Sequence, residues 1–235
     1  ATSSIGHGKG ASLDLLREMR FPHSVGLLYS AFTYFCGFKV NSGEYKLMGL
    51  APYGQPVYAD LIREKLIDIK PDGSYRLNLD YFDYCSGLRM TNDKFAALFG
   101  GPRREPETPI SQREMDIARS IQEVTEDVVL KMAQTIHHET GMKNLVIAGG
   151  VGLNCVANGR LLREGPFENI WIQPASGDAG NALGCALYAW HQLLKNPRTA
   201  DARRQKATYL GPWFSDDGIR SYLEEEKIPY EQFDE

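Results

Sequence analysis

Apolar residues recur along one stretch at three- and four-residue steps: Ile117, Ile121, Val124, Val128, Met132 and Ile136. That spacing predicts a long amphipathic helix. Ser111 and Glu114 form an S-x-x-E capping box before it, and Gly141 supplies a stop. Ser24–Phe38 carries large apolar residues on nearly every side and predicts a buried helix, opened by Pro22 and Ser24 and closed by Gly37. Tyr58–Ile69 reads as one short amphipathic helix, Lys70–Ser74 as a turn and Tyr75–Leu79 as a short alternating strand. Thr2–Gly6 resembles the end of a strand entering a turn. Gly43–Gly54 reads as a Gly-rich, mixed-charge segment. Gly100–Pro109 holds three prolines and several charges, so an exposed loop is expected.

From residue 145 the pattern changes period. Leu145–Ala148 is a short apolar strand, Gly149-Gly150-Val151-Gly152 a turn, and Asn154–Arg163 a helix closed by Gly165-Pro166. Ile170–Gln173 is a second strand, Pro174–Gly180 a second turn and Asn181–Leu194 a second helix. Strands alternating with helices predict an α/β layer with parallel strands. Asn196–Ala207 is polar and basic and reads as a linker. Tyr209–Phe214 reads as a docking segment, and Ser215, Asp216 and Asp217 as the cap of a short helix reaching about Lys227.

The chain has 235 residues, 43% of them hydrophobic, enough for one good core or one domain and part of another. A formal net charge of −4 argues against nonspecific nucleic-acid binding, which draws on clustered Lys and Arg. The longest apolar runs are too short and too interrupted to span a membrane, and Ala1–Gly10 lacks the apolar centre of a signal peptide. Cys36, Cys85, Cys155 and Cys185 form no C-x-x-C pair. Cys36, Cys155 and Cys185 sit among apolar or small residues, where burial is expected. Reduced thiols and a cytoplasmic home fit this usage.

Three constellations could carry chemistry. In Gly149–Asn154 the glycines permit close approach of a ligand, and the following helix start directs free N–H groups at an anion such as phosphate. Asn154 could reach a base or ribose. A tight turn that merely packs helix on strand is the alternative. A dinucleotide fold fits less well, because Ile170–Gln173 ends in Gln where an acid is expected. In Ser176–Asn181, Asp178 precedes a helix, as its N-cap or as a metal-binding or phosphate-side carboxylate. Both turns fall at the C-terminal ends of neighbouring strands, where open α/β sheets bind ligands. In Gly43–Leu50, Lys46 could contact phosphate, and Glu44 could contact a ribose or orient Lys46. The alternative there is a solvated loop pair. His137 and His138 are adjacent on a helix and point about 100° apart, which does not suit one metal ion.

Phe21–Tyr29, Gly43–Gly54, Ala148–Asn158 and Pro174–Gly184 together resemble the O-carbamoyltransferases of nodulation-factor and antibiotic biosynthesis, relatives of the enzymes that transfer threonylcarbamoyl to tRNA. The run Gly43-Glu44-Tyr45-Lys46-Leu47-Met48-Gly49-Leu50-Ala51-Pro52-Tyr53-Gly54 is its most specific part. The resemblance implies an actin-like, sugar-kinase-like (ribonuclease H-like) lobe, with 1–195 the C-terminal portion of the transfer domain. Residues 196–235 would then be the linker and the start of an adenylate-forming domain. It also implies ATP and carbamoyl phosphate as substrates, a carbamoyl-adenylate intermediate and a hydroxyl-bearing acceptor. A divalent metal, with iron expected, is implied as well. Asp178 matches the metal-binding aspartate. Gly149, Gly150 and Asn154 match the nucleotide-side turn, and Gly43, Glu44 and Lys46 the opposite wall. The family's H-x-x-x-H metal motif is absent from the chain and is expected upstream of Ala1, with the adenylate-forming domain expected beyond Glu235. On this reading the chain does not catalyse alone. A non-catalytic nucleotide-binding lobe acting with a partner chain is the alternative, and oligomeric state is left open.

Overall fold

The computed structural model describes residues 1–198 and 211–233. The chain divides into two units, Ala1–Arg198 and Thr199–Glu235. The first opens with an antiparallel hairpin of β1 (Ser3–Lys9) and β2 (Ser12–Met19), bulged between Ile5 and Gly6. The expected strand end at Gly6 is therefore too early. Helix α1 (Val25–Phe35) follows, and its N-cap Ser24 accepts a hydrogen bond from the Leu27 N–H at 3.1 Å. Residues 43–54 are not the irregular segment their glycines suggest. They form α2 (Glu44–Leu50) and a 3-10 turn, Ala51–Tyr53, with Pro52 at a first-turn position, where its missing N–H costs nothing. The expected helix over 58–69 is shorter: α3 spans Ala59–Lys65, after which Ile67 and Ile69 alternate about Asp68 in β3 (Ile67–Ile69). That strand pairs antiparallel with β4 (Tyr75–Leu77).

Helix α4 (Asp93–Leu98) is capped by Asn92, and α5 (Gln112–Thr140) is the longest element described. Its capping box forms as its sequence requires: Ser111 donates from its N–H and its hydroxyl to Glu114, at 3.0 and 2.6 Å. Burial alone would push the Glu114 carboxyl up. The bonds from Ser111, joined by Arg113, outweigh it and hold the carboxyl below the usual glutamate range. Gly141 ends the helix in the left-handed region at φ 63°. Then come β5 (Asn144–Ile147), a 3-10 turn (Gly150–Leu153), α6 (Cys155–Glu164), β6 (Asn169–Ile172), and α7 (Ala179–Tyr188), which continues as a π-helical turn, Ala189–Leu193. Strands β5 and β6 pair in parallel, Leu145 opposite Ile170. The first unit is thus a mixed α/β domain.

Its core lies on one face of α5. Ile117, Ile121, Val124 and Val128 are fully buried there. Phe32 and Phe35 of α1 meet Phe95 edge-on, with ring centroids 5.1 and 5.0 Å apart. Each such side chain contributes about 1.5–3 kcal/mol by leaving water. A smaller cluster of Ala133, Leu161 and Phe167 anchors the β5–β6 layer through Leu145, Ile147 and Ile170. Charged side chains tie the helices together: Arg63 of α3 binds Glu123 and Asp127 of α5, and Arg160 of α6 binds Asp127 at 3.1 Å. Cys36 is buried as expected, but Cys155 and Cys185 are exposed. Each lies on a helix side with little packed against it.

The described part of the second unit holds α8 (Asp216–Glu225), capped by Ser215, whose hydroxyl oxygen accepts from the Gly218 N–H at 3.1 Å. Most of the expected linker, with Tyr209 and Leu210 of the docking segment, lies outside the described residues. Among the described residues no helix is long and apolar enough to cross a membrane.

Candidate functional site

Strand β5 runs out at Ile147, and the chain must turn sharply to start α6. Gly149 makes that turn at φ 103°, ψ 160°, a conformation nearly closed to other residues. Its N–H donates to the Ser176 carbonyl at 2.6 Å, and the Ser176 hydroxyl donates back to the Gly149 carbonyl at 2.8 Å. A Cβ at Gly152 would sit 2.5 Å from the Ser176 Oγ, so the two turns touch with no room between them. The turn after β5 and the turn after β6 therefore form one rim at the C-terminal ends of two parallel strands. The N–H groups of Gly150 and Val151, first in the 3-10 turn, have no hydrogen-bond acceptor among the described residues. Nothing lies within 4 Å of where a Cβ would stand on Gly149, Gly150 or Gly177, so this side of the rim is open.

Asn154 sits just beneath. It is buried, and its amide is used inside the protein: Oδ1 accepts from the Ala157 N–H and from Gln122 Nε2, each at 3.0 Å, while Nδ2 donates to Gln122 Oε1 at 3.0 Å. The structure thus places Asn154 as the cap of α6 and one half of an amide pair. Gln122 also accepts from the Tyr29 hydroxyl at 2.9 Å and donates to Glu126 at 3.0 Å. Burial, with smaller contributions from Cys36, Glu126 and Glu44, pushes the Tyr29 phenol up, so it remains a donor. Sequence reading missed Gln122, although the signal was there. Gln122 and Thr125 lie beside the Ile117–Ile121–Val124 stripe, where a polar residue on a burying face needs an internal partner.

Helix α2 approaches the same rim. Gly26 of α1 has Val151 Cγ2 at 3.4 Å from its Cβ position. Ser30, four residues on and on the same face, donates to Glu44 at 2.8 Å. Met48 of α2 lies 3.9 Å, sulfur to sulfur, from Cys155 at the start of α6. Glu44 also accepts from the N–H groups of Asn41 and of the buried Gly43, at 2.9 and 3.2 Å. This corrects the expectation that Glu44 orients Lys46, and equally the expected loop pair. Two residues apart on a helix, they point about 200° away from each other. Lys46 is exposed and has no ion pair among the described residues.

Asp178 precedes α7 but does not cap it. Its backbone is already helical (φ −58°, ψ −31°), and its carboxylate makes no cap bond. The side chain is exposed, with no hydrogen bond or ion pair to another described residue. Among the described residues no three His, Cys, Asp or Glu stand close enough together to hold a metal ion.

Comparison with known proteins bears on what this rim serves. The family described as "Carbamoyltransferase N-terminus" matches residues 1–187. An uncharacterized protein of Synechocystis is 62% identical over 224 residues, covering 95% of this chain and 36% of its own length. Nodulation protein NolNO of Sinorhizobium fredii is 34% identical over 230 residues, covering 98% of this chain and 31% of its own. Nodulation protein NolO of Bradyrhizobium diazoefficiens is 34% identical over 205 residues, 86% of this chain and 35% of its own. The chain spans about a third of the length of these relatives. The coverage and identity together place the chain in the carbamoyltransferase family, within its N-terminal region.

Proposed function

We propose that this chain forms one wall of an O-carbamoyltransferase active site, in which the carbamoyl group of carbamoyl phosphate passes through an ATP-derived carbamoyl-adenylate to a substrate hydroxyl. The observation that carries this reading is the rim itself. Two turns are hydrogen-bonded together at the ends of parallel strands, and among the described residues the N–H groups of Gly150 and Val151 and the Asp178 carboxylate have no partner. Paired backbone donors at such a place suit phosphate. In the proposal Gly149 and Gly150 admit the adenylate phosphate, and Asn154, locked to Gln122, holds the turn in shape. Lys46 supplies a cation from α2, while Gly43 and Glu44 fix where α2 begins. The acceptor oxygen bonds to the carbamoyl carbon, the bond from that carbon to the AMP oxygen breaks, AMP leaves with the electron pair and the hydroxyl proton is released. The alternation of β5, α6, β6 and α7 behind an antiparallel hairpin is what an actin-like lobe would contain.

The described residues do not by themselves suit a metal centre. Asp178 is a single donor, and a divalent ion, iron in this proposal, would need its other ligands from outside this chain.

The test is a chimera in which this chain replaces the aligned segment of the Synechocystis relative. It would be supplied with carbamoyl phosphate, ATP and a panel of hydroxylated acceptors. Transfer by the chimera, reduced by at least about 100-fold in Asp178→Ala, is the expected result, since even outer partners of a metal cost up to that much. Transfer unaffected by Asp178→Ala removes that residue from the site. ATP binding without AMP-forming turnover would favour a non-catalytic nucleotide-binding lobe.

A further inference from the structure

The peptide between Gly149 and Gly150 is flanked by two glycines, so no Cβ resists its rotation about the adjoining bonds. Turning it over would exchange its two ends, because the Gly149 carbonyl and the Gly150 N–H point oppositely across one planar trans unit. Hydrogen bonds, not sterics, therefore decide which end the rim presents. The choice matters for charge. An N–H at the open side attracts an anion, and a carbonyl in its place repels one.

Two bonds hold the Gly149 carbonyl. The Gly152 N–H donates to it at 2.9 Å, which closes the 3-10 turn on itself. Such bonds have poor geometry. The second bond comes from another element: the hydroxyl of Ser176, a residue only 3% exposed, donates to the same oxygen at 2.8 Å. The Ser176 carbonyl accepts from the Gly149 N–H, so one residue of the second turn grips both polar groups of Gly149. The far end of the first turn is held in the same manner. Asn158, one helical turn beyond Asn154, donates from Nδ2 to the Gly152 carbonyl at 2.7 Å. The Val151 carbonyl accepts from the Asn154 N–H at 2.9 Å. The carbonyls of Gly149, Val151 and Gly152 are thus all engaged inside the protein. The N–H groups of Gly150 and Val151 have no acceptor among the described residues.

We propose that Ser176 is a positioning residue for the anion at the rim. Its hydroxyl fixes the Gly149–Gly150 peptide with the Gly150 N–H turned away from Ser176 and toward the ligand, and Asn158 fixes the other end of the turn. Neither side chain touches the anion; each acts through the peptide whose carbonyl it holds. The two turns then divide the work. The first supplies the donors, and the second, through Ser176, decides where they point, a task separate from that of Asp178 two residues on. This role rests on the reading of the rim as a phosphate site.

The experiment titrates inorganic phosphate and pyrophosphate into the 235-residue chain and follows the amide resonances of Gly150 and Val151. The Gly149 carbonyl-carbon resonance reports on the bond from Ser176. The variants are Ser176→Ala, Asn158→Ala and, as a control, Ser120→Ala. Ser120 is also buried, and its hydroxyl donates to the Asp116 carbonyl at 2.6 Å and accepts from the Tyr58 N–H at 3.0 Å, so the control loses hydrogen bonds that do not involve the rim. Saturable shifts at both amides are expected in the parent. Ser176→Ala should weaken binding at least about fivefold, the worth of one neutral hydrogen bond, and Ser120→Ala should not. The Gly149 carbonyl signal should move in Ser176→Ala before any anion is added and stay in place in Asn158→Ala, which weakens binding from the other end of the turn. Should Ser176→Ala fail to fold, Ser176→Cys keeps the size with a much weaker donor and answers the same question. Equal binding by the parent and Ser176→Ala, an equal loss in Ser120→Ala, or an unmoved Gly149 signal would overturn the role of Ser176 and leave the rim reading standing. Binding unchanged in Asn158→Ala would strike that residue from the proposal. No shift at Gly150 or Val151 with either anion would overturn the rim reading itself, and the positioning role with it.

Discussion

Gln122 occupies the point where α1, α5 and the glycine turn exchange hydrogen bonds. Its amide oxygen serves Tyr29 and Asn154, and its amide nitrogen serves Glu126 and Asn154. A buried amide so placed has no water to fall back on. Gln122→Ala would strand the Asn154 Nδ2 and the Tyr29 hydroxyl together, while Glu126 keeps its arginines, and it should destabilise the chain by about 3 kcal/mol, the upper end for one abandoned buried partner. Asn154→Ala should cost less than the double variant but more than an isolated helix cap, about 1 kcal/mol. Urea denaturation of both single variants and the double variant gives the coupling. Additive losses would mean that the amide pair does not act as a unit.

At the scale of elements, α5 was readable almost to the residue because chemistry marks both ends, Ser111 with Glu114 at one and Gly141 at the other. The parallel strands and their turns were readable for a similar reason: short apolar runs bounded by glycine. Helix α2 was not. Gly43, Gly49 and Gly54 suggest a loop, yet Gly43 and Gly54 serve packing. A Cβ on Gly54 would overlap the Met115 carbonyl of α5, and Gly43 is closed in by Lys39 and Phe38. No periodicity reports a demand set by a distant helix. Strand β2 escaped notice because Leu13, Leu15 and Leu16 neither alternate strictly nor bury themselves. Of the candidate site, both turns could be read, but the internal employment of Asn154 and Glu44 could not, since their partners lie on other elements. Gly54→Ala should force the 3-10 turn off α5 and cost about 1–3 kcal/mol, as overpacking does. A melting temperature equal to that of the parent would show that the turn can yield without loss.

At the scale of the whole molecule, the first unit is well packed around α5 and sparsely covered beyond β5. Val146 and Trp171 on the outer face of the parallel strands are 74% and 46% exposed, and no residue of α7 is buried. Parallel sheets are ordinarily covered on both faces. The family's curated members matched here are about three times as long as this chain, and we expect other parts of such proteins to cover these residues. The 235-residue chain should therefore enhance the fluorescence of an apolar dye at neutral pH, and the chimera with the Synechocystis relative should enhance it far less. Equal enhancement by the two would mean that these faces stay open in the longer protein.

The contact between Gly152 and Ser176 ties together positions twenty-four apart in the chain. Neither can be varied freely while the other is kept. A side chain at 152 demands that 176 shrink or withdraw, and withdrawal gives up the bond to Gly149. Substitutions at these sites should consequently be inherited as pairs, and a library randomising one of them alone would return few working sequences.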